Sequence, residues 1–373
     1  FVPTATGAQA EPDIGALVTA EGAVLWDPAD DVVLFDREAD RPRPMASTTK
    51  IMTVLLALES RGVDEDLVVS EQAVEVGRTP GAADLGLQAG QRIAVRSVLA
   101  GLILRSGNDG AVAIAEHLAG SEDVFVQKMN VRAAELGLSG TDYLDSSGLA
   151  SDEGHHASPM DLARLAAVAM SHPDFAEWAG ADRMDVPDIG VLENRNELIG
   201  TYQGATGVKT GYTGIAGLCL VASATRGDRT LYAAVLHSEN SFVDVAELLD
   251  YGFEAYERPE PLVAGQQAAT YRWSGAEVPL YADQSLAQTV PIGTPVTWRV
   301  VLDPYAPRPV AVGARLGRAE LLVDGQVVEH VVLRAATAVP APPAGSRGEV
   351  AGSAIQDTIR AFTRLHPVDL QAA

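Results

Sequence analysis

The chain has 373 residues, 47% of them hydrophobic, with a mean hydropathy of +0.08 and a formal net charge of −23. This length favours two domains, because single domains usually contain about 100 to 200 residues. The acidic balance argues against binding nucleic acid or anionic headgroups through a broad basic face, and the sequence has no run of about 18 apolar residues to span a bilayer.

The beginning of the chain is typical of the last part of a signal peptide. Residues 1–10 end in Ala8-Gln9-Ala10, which matches a small-residue cleavage site. We therefore expect 1–10 to be a signal-peptide remnant and the protein to be exported, to the cell envelope or the extracellular space. The single cysteine, Cys219, excludes an internal disulfide, and its apolar neighbours favour a small buried side chain without chemistry.

Residue patterns predict an order of strands and helices. The helix that begins at Ser47 is apolar on most sides, so we expect it to be buried between layers. The predicted elements are, in chain order, a β-hairpin over 22–36, helices over 47–61, 97–119 with a break at 106–108, 121–136 and 159–171, strands over 206–210, 216–225 and 229–237, and a helix over 241–257.

Strands at both ends of this segment enclose helices, which predicts an α+β domain with an antiparallel sheet and a helical insertion. Short Val-rich strands then indicate a separate all-β domain. The predicted divisions after the signal-peptide remnant are a first domain over 11–260, an all-β domain over 261–335, an Ala/Pro/Gly linker over 336–353 and an amphipathic tail over 354–373.

Lysine is rare in this chain. Only three of its 27 basic residues are lysines, at Lys50, Lys128 and Lys209, and the others are arginines. An ammonium group can be tuned to act as a base, whereas a guanidinium cannot deprotonate in a protein. Each lysine is therefore a candidate for amine chemistry, although codon bias with chance survivors would explain the same counts.

Ser47 and Lys50 have the spacing that places two side chains one helical turn apart on the same face. If the two residues had no catalytic role, Ser47 would be an ordinary helix N-cap and Lys50 a solvated surface lysine. This alternative accounts poorly for Lys50. A cation in the first turn opposes the helix dipole, and the apolar residues that follow would remove the charge from water at a cost. A lysine whose pKa is depressed by burial and nearby positive charge is a competent base for a serine hydroxyl.

Two further motifs are weak by themselves. Ser106-Gly107-Asn108 is compatible with a simple turn between helices, and Lys209-Thr210-Gly211 with the end of a strand. Their combination with Ser-x-x-Lys, in this order and each in its expected local structure, is much more specific. Two of the three lysines complete these motifs.

With these motifs the chain resembles the penicillin-recognising serine enzymes and, more narrowly, the low-molecular-weight penicillin-binding proteins that act as D-alanyl-D-alanine carboxypeptidases. The resemblance is close over about 13–257 and looser to about 335. It implies a β-lactamase/transpeptidase-like antiparallel sheet with an inserted helical subdomain, followed by a small all-β domain, and an activity without a cofactor or metal. The matching segments are Pro44–Thr53, Ser106–Asp109, Phe125–Asn130, Leu136–Leu138 and Gly207–Thr213.

The resemblance implies catalytic roles for the first two motifs. Ser47 would attack the carbonyl between two D-alanines of a peptidoglycan stem peptide, with Lys50 accepting its proton. Ser106 would relay that proton to the leaving D-alanine, and Asn108 would hold Lys50 and the substrate amide. β-Lactam antibiotics would acylate the same serine.

The third motif would bind the substrate. The resemblance implies that Lys209 directs positive potential at the terminal carboxylate and lowers the pKa of Lys50, while Thr210 hydrogen-bonds that carboxylate. Gly211 would let the peptide lie against the strand edge. The backbone N–H groups of Ser47 and Tyr212 would form an oxyanion hole.

Two rival interpretations are compatible with these motifs. A serine β-lactamase shares the acylation chemistry, but Ser106-Gly107-Asn108 and the second domain favour the carboxypeptidase. A non-catalytic peptidoglycan-binding module would not need the intact motifs. The adjacent His155 and His156 could suggest a metal, but without a third ligand at suitable spacing we expect loop or capping groups.

The end of the chain has an amphipathic pattern. Ile355, Ile359, Phe362 and Leu365 form an apolar stripe, which resembles the C-terminal membrane-surface anchor of this family. A membrane-surface contact through 354–366 is therefore one expectation. The alternative is a short helix that packs on the β domain or stays unfolded.

Overall fold

The structure is a computed structural model, which describes residues 14–150, 154–273, 276–303, 309–340 and the backbone of 366–367. The chain divides into two compact units, with the boundary between Glu254 and Ala255. The predicted domain limits of 11–260 and 261–335 stay a prediction. The predicted signal-peptide remnant, residues 341–353 of the linker and all of the tail except 366–367 lie outside the described residues.

The first unit combines helices with short and long strands. Its helices are α1 (Ile14–Leu17), α2 (Lys50–Glu59), α3 (Glu71–Gly77), α4 (Val95–Leu104), α5 (Asn108–Ala119), α6 (Glu122–Glu135), α7 (Pro159–Met170), α8 (Pro173–Gly180) and α9 (Ser241–Ala255). Its strands are β1 (Gly22–Asp27), β2 (Val32–Arg37), β3 (Arg43–Pro44), β4 (Asp66–Val68), β5 (Arg92–Ala94), β6 (His156–Ala157), β7 (Arg183–Val186), β8 (Gly190–Glu193), β9 (Ala205–Thr213), β10 (Gly217–Arg226) and β11 (Arg229–Ser238).

Five strands form the central sheet of this unit, in the order β2-β1-β11-β10-β9, and every pairing in it is antiparallel. All six residues of β1 are buried, although alternate residues of a strand face opposite sides of the sheet. The strand is therefore covered on both faces. Gly252 of α9 packs against Leu25 and Leu231 on one face, while Val24 and Trp26 belong to the helical core on the other.

Helix α2 lies at the centre of the helical layer. It contacts α4, α5, α6 and α7, and seven of its ten residues are buried. Helix α7 in turn contacts β1, β10 and β11. The predicted α+β architecture, in which helices are inserted between the first and last strands of an antiparallel sheet, is confirmed.

The start of the central helix differs from its prediction. The helix was expected to begin at Ser47, but Ala46–Thr49 form a 3-10 helix and α2 begins at Lys50. Ala46, directly before Ser47, has a φ of +48°, which is costly for a residue with a Cβ. The nucleophile candidate therefore lies in a strained turn that leads into the helix.

In the second unit, the described residues after Ala255 form strands and no helices. The strands of this unit are β12 (Tyr256–Glu257), β13 (Gln267–Trp273), β14 (Ala276–Ala282), β15 (Val290–Pro291), β16 (Val296–Leu302), β17 (Arg315–Val323), β18 (Gln326–Ala335) and β19 (His366–Pro367). Six of them form one sheet, in the order β13-β14-β18-β17-β16-β19, and the core of the unit includes Leu280, Trp298, Leu321 and Leu333.

We find no helix with the length and apolar character needed to cross a membrane in the described parts of the two units.

Candidate active site

Ser47 lies in the 3-10 turn at the foot of α2 and is partly exposed, while its neighbours on both sides are buried. No side-chain cap is formed at the start of either helix, so Ser47 does not act as an N-cap. The Lys50 Nζ atom lies 3.0 Å from the Ser47 Oγ atom. The structure thus brings together the two residues of the Ser-x-x-Lys motif.

Lys50 is fully buried, unlike a solvated surface lysine. Its Nζ atom donates to Asn108 Oδ1 at 2.7 Å and to the carbonyl oxygen of Ser147 at 2.5 Å, in addition to its contact with Ser47. The amide oxygen of Asn108 and the carbonyl oxygen of Ser147 can only accept hydrogen bonds, so they engage both N–H groups of a neutral amine. The lone pair of that amine then faces the Ser47 hydroxyl.

Burial lowers the pKa of Lys50 from 10.5 to about 7, because removal from water disfavours the charged form. The positive charge of Arg195 lowers this pKa further, whereas Asp145 and Asp109 raise it. A substantial fraction of Lys50 is therefore uncharged at neutral pH. An amine in this state can accept a proton from a hydroxyl.

The second motif forms the junction between α4 and α5. Ser106 is buried and has a φ of +68°, and Asn108 begins α5. Gly107 packs so closely on Leu85 that an added Cβ would lie 2.4 Å from Leu85 Cγ. Asp109 accepts hydrogen bonds from the backbone N–H groups of Leu85 and Leu87, which ties the 85–87 segment to this turn.

The third motif lies within β9, at the edge of the central sheet. On one side β9 pairs with β10, and on the other it pairs with no strand of the described chain. Its free edge can therefore take up an extended peptide by adding a strand. Lys209 is buried, and its Nζ atom donates to the carbonyl oxygen of Thr210 at 3.0 Å. Burial, and then the charges of Lys50 and Arg195, lower the pKa of Lys209 well below its usual value.

Strand alternation separates the four predicted binding residues of β9 into two pairs. Lys209 and Gly211 belong to one face of β9, and Thr210 and Tyr212 to the other. A Cβ on Gly211 would lie 3.1 Å from the backbone nitrogen of Ser47. Gly211 thus lets the Ser47 turn approach the strand, which is a different reason for a glycine from the predicted contact with substrate. The side chain of Tyr212 is 67% exposed.

No group of three His, Cys, Asp or Glu side chains that could hold a metal ion occurs among the residues with described positions. Cys219 is buried, and burial raises the pKa of its thiol to about 12. A thiol in that state is a poor nucleophile at neutral pH.

Comparison with known proteins agrees with this arrangement. A family model described as D-alanyl-D-alanine carboxypeptidase matches residues 6–240, well over half of the chain. The chain belongs to the D-alanyl-D-alanine carboxypeptidase family. The sequence resemblance to the low-molecular-weight penicillin-binding proteins is therefore confirmed.

Two curated relatives and one solved structure illustrate how far the similarity to this chain extends. D-alanyl-D-alanine carboxypeptidase DacF of Bacillus subtilis is 36% identical over 64% of this chain, which spans 63% of the length of that relative. DacC of Escherichia coli is 30% identical over 88% of this chain and 86% of its own length. Penicillin binding protein 5 from Haemophilus influenzae superposes with a TM-score of 0.70 at 27% identity, covering 90% of this chain and all of that one.

A loop that was not predicted from the sequence packs against the turn that holds Ser47. The carbonyls of Ser146 and Ser147 accept hydrogen bonds from Thr53 and Lys50, which are one turn apart on α2. Gly148 lies so near the turn that a Cβ there would be 2.0 Å from the carbonyl oxygen of Ala46. Asp145 accepts hydrogen bonds from the backbone N–H groups of Ser147, Gly148 and Ala150 and so folds the loop.

Arg195 was also missed. Its backbone N–H donates to the carbonyl of Leu104, the last residue of α4. On either side of it, Asn194 donates to Ala179 and Ala181, and Asn196 donates to the carbonyl of Gly207 on β9. This segment is thus attached to α4, to the end of α8 and to β9, and its arginine adds positive charge beside Lys50 and Lys209. No local motif marks such a residue, because its partners are distant in sequence.

Proposed function

We propose that this protein is a serine D-alanyl-D-alanine carboxypeptidase that removes the terminal D-alanine from peptidoglycan stem pentapeptides through an acyl-enzyme on Ser47. The contact between the Ser47 hydroxyl and the buried Lys50 amine carries this proposal. This contact places a nucleophile next to its base, three residues apart in the chain. The family to which the chain belongs is described by its action on the bond between two D-alanines.

Acylation begins with proton transfer. Lys50, held as an amine by Asn108 and the Ser147 carbonyl, takes the proton of Ser47 as the Oγ atom attacks the carbonyl carbon between the two D-alanines. The new C–O bond forms as the carbonyl π electrons move onto its oxygen. The backbone N–H groups of Ser47 and Tyr212 stabilise this oxyanion.

Collapse of the tetrahedral intermediate breaks the C–N bond. Ser106, buried at the junction of α4 and α5, relays the proton from Lys50 to the leaving nitrogen, so that D-alanine departs as a neutral amine. The substrate lies along the free edge of β9, where Asn108 binds its amide. Thr210 hydrogen-bonds its terminal carboxylate, and Lys209 supplies positive potential toward it.

Deacylation completes the reaction. Water adds to the ester of Ser47 with Lys50 again as the base, and the shortened stem peptide leaves. Penicillins carry an amide in a strained ring and acylate the same serine. Because their leaving group stays attached, we expect a long-lived adduct.

The location of this substrate supports a proposal about localisation. Peptidoglycan lies outside the cytoplasmic membrane, so the protein is proposed to be exported to the cell envelope or the extracellular space. The sequence motif at Ala8-Gln9-Ala10 supports export. We also propose that residues 354–366 contact the membrane surface and attach the exported protein to it.

Separate incubations with a defined stem pentapeptide and with a penicillin test the proposal. We expect release of one D-alanine per peptide and a penicilloyl adduct on Ser47 in mass spectra, and we expect a folded Ser47→Ala variant to lose both. An adduct on another serine would contradict the mechanism. Rapid hydrolysis of penicillin without release of D-alanine would indicate a β-lactamase, and the absence of both reactions a binding module.

A further inference from the structure

His155 is buried directly behind the nucleophile turn, and the mechanism above does not use it. Only 1% of its surface is exposed. Its Nδ1 atom lies 3.0 Å from the backbone nitrogen of Leu144, and its Nε2 atom lies 2.8 Å from Thr49 Oγ1. The Thr49 hydroxyl in turn lies 2.7 Å from the carbonyl oxygen of Ala46.

These contacts determine the direction of every hydrogen bond in the chain of groups. The backbone N–H of Leu144 can only donate, so Nδ1 of His155 must be the unprotonated acceptor. The proton of the neutral ring is then on Nε2 and is donated to Thr49. The Thr49 hydroxyl retains its own proton for the carbonyl of Ala46.

The end of this chain is the peptide that precedes Ser47. Ala46 has a φ of +48°, a conformation that is costly for a residue with a Cβ. Such a conformation persists only where the surroundings hold it. The hydrogen bond from Thr49 is one such restraint, and His155 orients the hydroxyl that makes it.

We infer that His155 is a positioning residue for the nucleophile: through Thr49 it holds the Ala46 peptide, and thus the direction from which the Ser47 hydroxyl meets Lys50. This inference rests on the proposed acylation of Ser47. The neutral ring is essential, because an imidazolium would present an N–H to the N–H of Leu144.

The surroundings of His155 favour the neutral ring. Burial lowers its pKa most, His156 and Lys50 lower it further, and Asp145 raises it. Tyr143 packs against the imidazole edge to face, with ring centroids 6.1 Å apart.

Substitutions at Thr49 separate hydrogen bonding from packing. Thr49→Val keeps the shape but removes the hydroxyl, and we expect penicillin acylation to slow by about 10- to 100-fold, the cost of a misplaced reacting group. Thr49→Ser keeps the hydroxyl and should remain within about threefold of the wild type. A merely structural contact of the Thr49 methyl group would give the reverse order.

Substitutions at His155 test the same chain from its other end. His155→Asn should slow acylation to a similar extent, since its shorter side chain does not reach Thr49. The double variant His155→Asn, Thr49→Val should be no slower than the slower single variant, because both act through one chain of hydrogen bonds. Losses that multiply would overturn the inference. His156→Asn is the matched control and should leave acylation unchanged.

A measurement on the wild-type protein does not depend on the folding of any variant. Nitrogen-15 spectra of the imidazole groups at pH 7 should show His155 as the neutral tautomer with its proton on Nε2. A proton on Nδ1, or an imidazolium, would overturn the inference. If wild-type protein is not acylated at all, the proposed function fails, whereas normal acylation in Thr49→Val with a normal wild type overturns only the role of His155.

Discussion

Gly148 and Gly211 both pack against the peptide unit that joins Ala46 to Ser47. A Cβ on Gly148 would lie 2.9 Å from the Ser47 nitrogen, and a Cβ on Gly211 would lie 3.1 Å from the same atom. These two positions belong to different elements, a loop after α6 and the edge strand β9. The backbone of the proposed nucleophile is therefore enclosed at two places: a methyl group does not fit at Gly148, and one at Gly211 would require the turn to shift.

Gly148→Ala should destabilise the protein and abolish acylation. Its φ of +86° strains any residue with a Cβ, and the new atom would also lie 2.0 Å from the Ala46 carbonyl oxygen. We expect a loss of several kcal/mol in the free energy of unfolding, measured by denaturant titration. Gly137→Ala is the control, because it has a φ of +73° but nothing within 4 Å, and should lose only about 1 kcal/mol. Equal losses would show that backbone strain alone matters.

Gly211→Ala should reduce acylation more than stability. Its Cβ contacts of 3.0 to 3.2 Å with Met45, Ala46 and Ser47 require the turn to move by a few tenths of an ångström. We expect acylation by a fluorescent penicillin to slow by about tenfold or more, while thermal unfolding changes little. Gly214→Ala, in the same hairpin but with open space around it, should keep the wild-type rate. An unchanged rate in Gly211→Ala would contradict the contribution of this contact.

Local sequence patterns were sufficient for the central sheet, for most of the helices and for part of the site, but not for the short elements α3, α8, β4, β5, β7 and β8. Residues only a few positions apart determine the spacing of apolar side chains in helices and strands. They also place Lys50 next to Ser47. The 3-10 turn was not predicted, and the residues that pack against it, Gly148 and Gly211, are distant from it in sequence. His155 and Arg195 act through partners far away in sequence. Without the fold, no pattern distinguishes them from other polar residues.

Replacement of the two motif lysines should have unequal effects. Lys50→Arg should abolish acylation, since a guanidinium cannot accept the proton of Ser47. Lys209→Arg retains the positive charge and changes mainly geometry, so we expect a smaller loss, seen chiefly at low substrate concentration. Acylation by penicillin and release of D-alanine measure both variants. Equal loss in the two would contradict the separate roles proposed for them.

The rate of acylation should depend on pH, with a midpoint near the pKa of Lys50. The pKa of Lys50 is about 7, so the active amine is lost as the pH falls below this value and the rate decreases. Arg195→Gln removes a positive charge that disfavours the ammonium, so the pKa of Lys50 should rise and the decrease should begin at higher pH.

The rate-versus-pH profile of penicillin acylation measures this shift in Arg195→Gln. Lys128→Gln removes a positive charge from an exposed lysine of α6 and should leave the profile unchanged. If the Arg195→Gln profile stays in place or moves to lower pH, the positive charge of Arg195 does not lower the pKa of Lys50.

The predicted tail should provide the membrane attachment of this strongly acidic protein. With a net charge of −23, the body is repelled by an anionic surface. Attachment then depends on the apolar stripe of residues 355–365 and on Arg360 and Arg364, which can meet anionic headgroups. A single amphipathic helix binds only marginally, so we expect partial binding that weakens with salt.

Flotation with anionic liposomes at low salt compares the full chain with a chain that ends at Ala335. We expect part of the full chain to float with the liposomes and the shortened chain to stay in the soluble fraction. Phe362→Ser in the full chain should lower the floated fraction, because it interrupts the apolar stripe without altering charge. Recovery of all three proteins in the soluble fraction would refute the anchor, since the predicted binding relies on the tail alone.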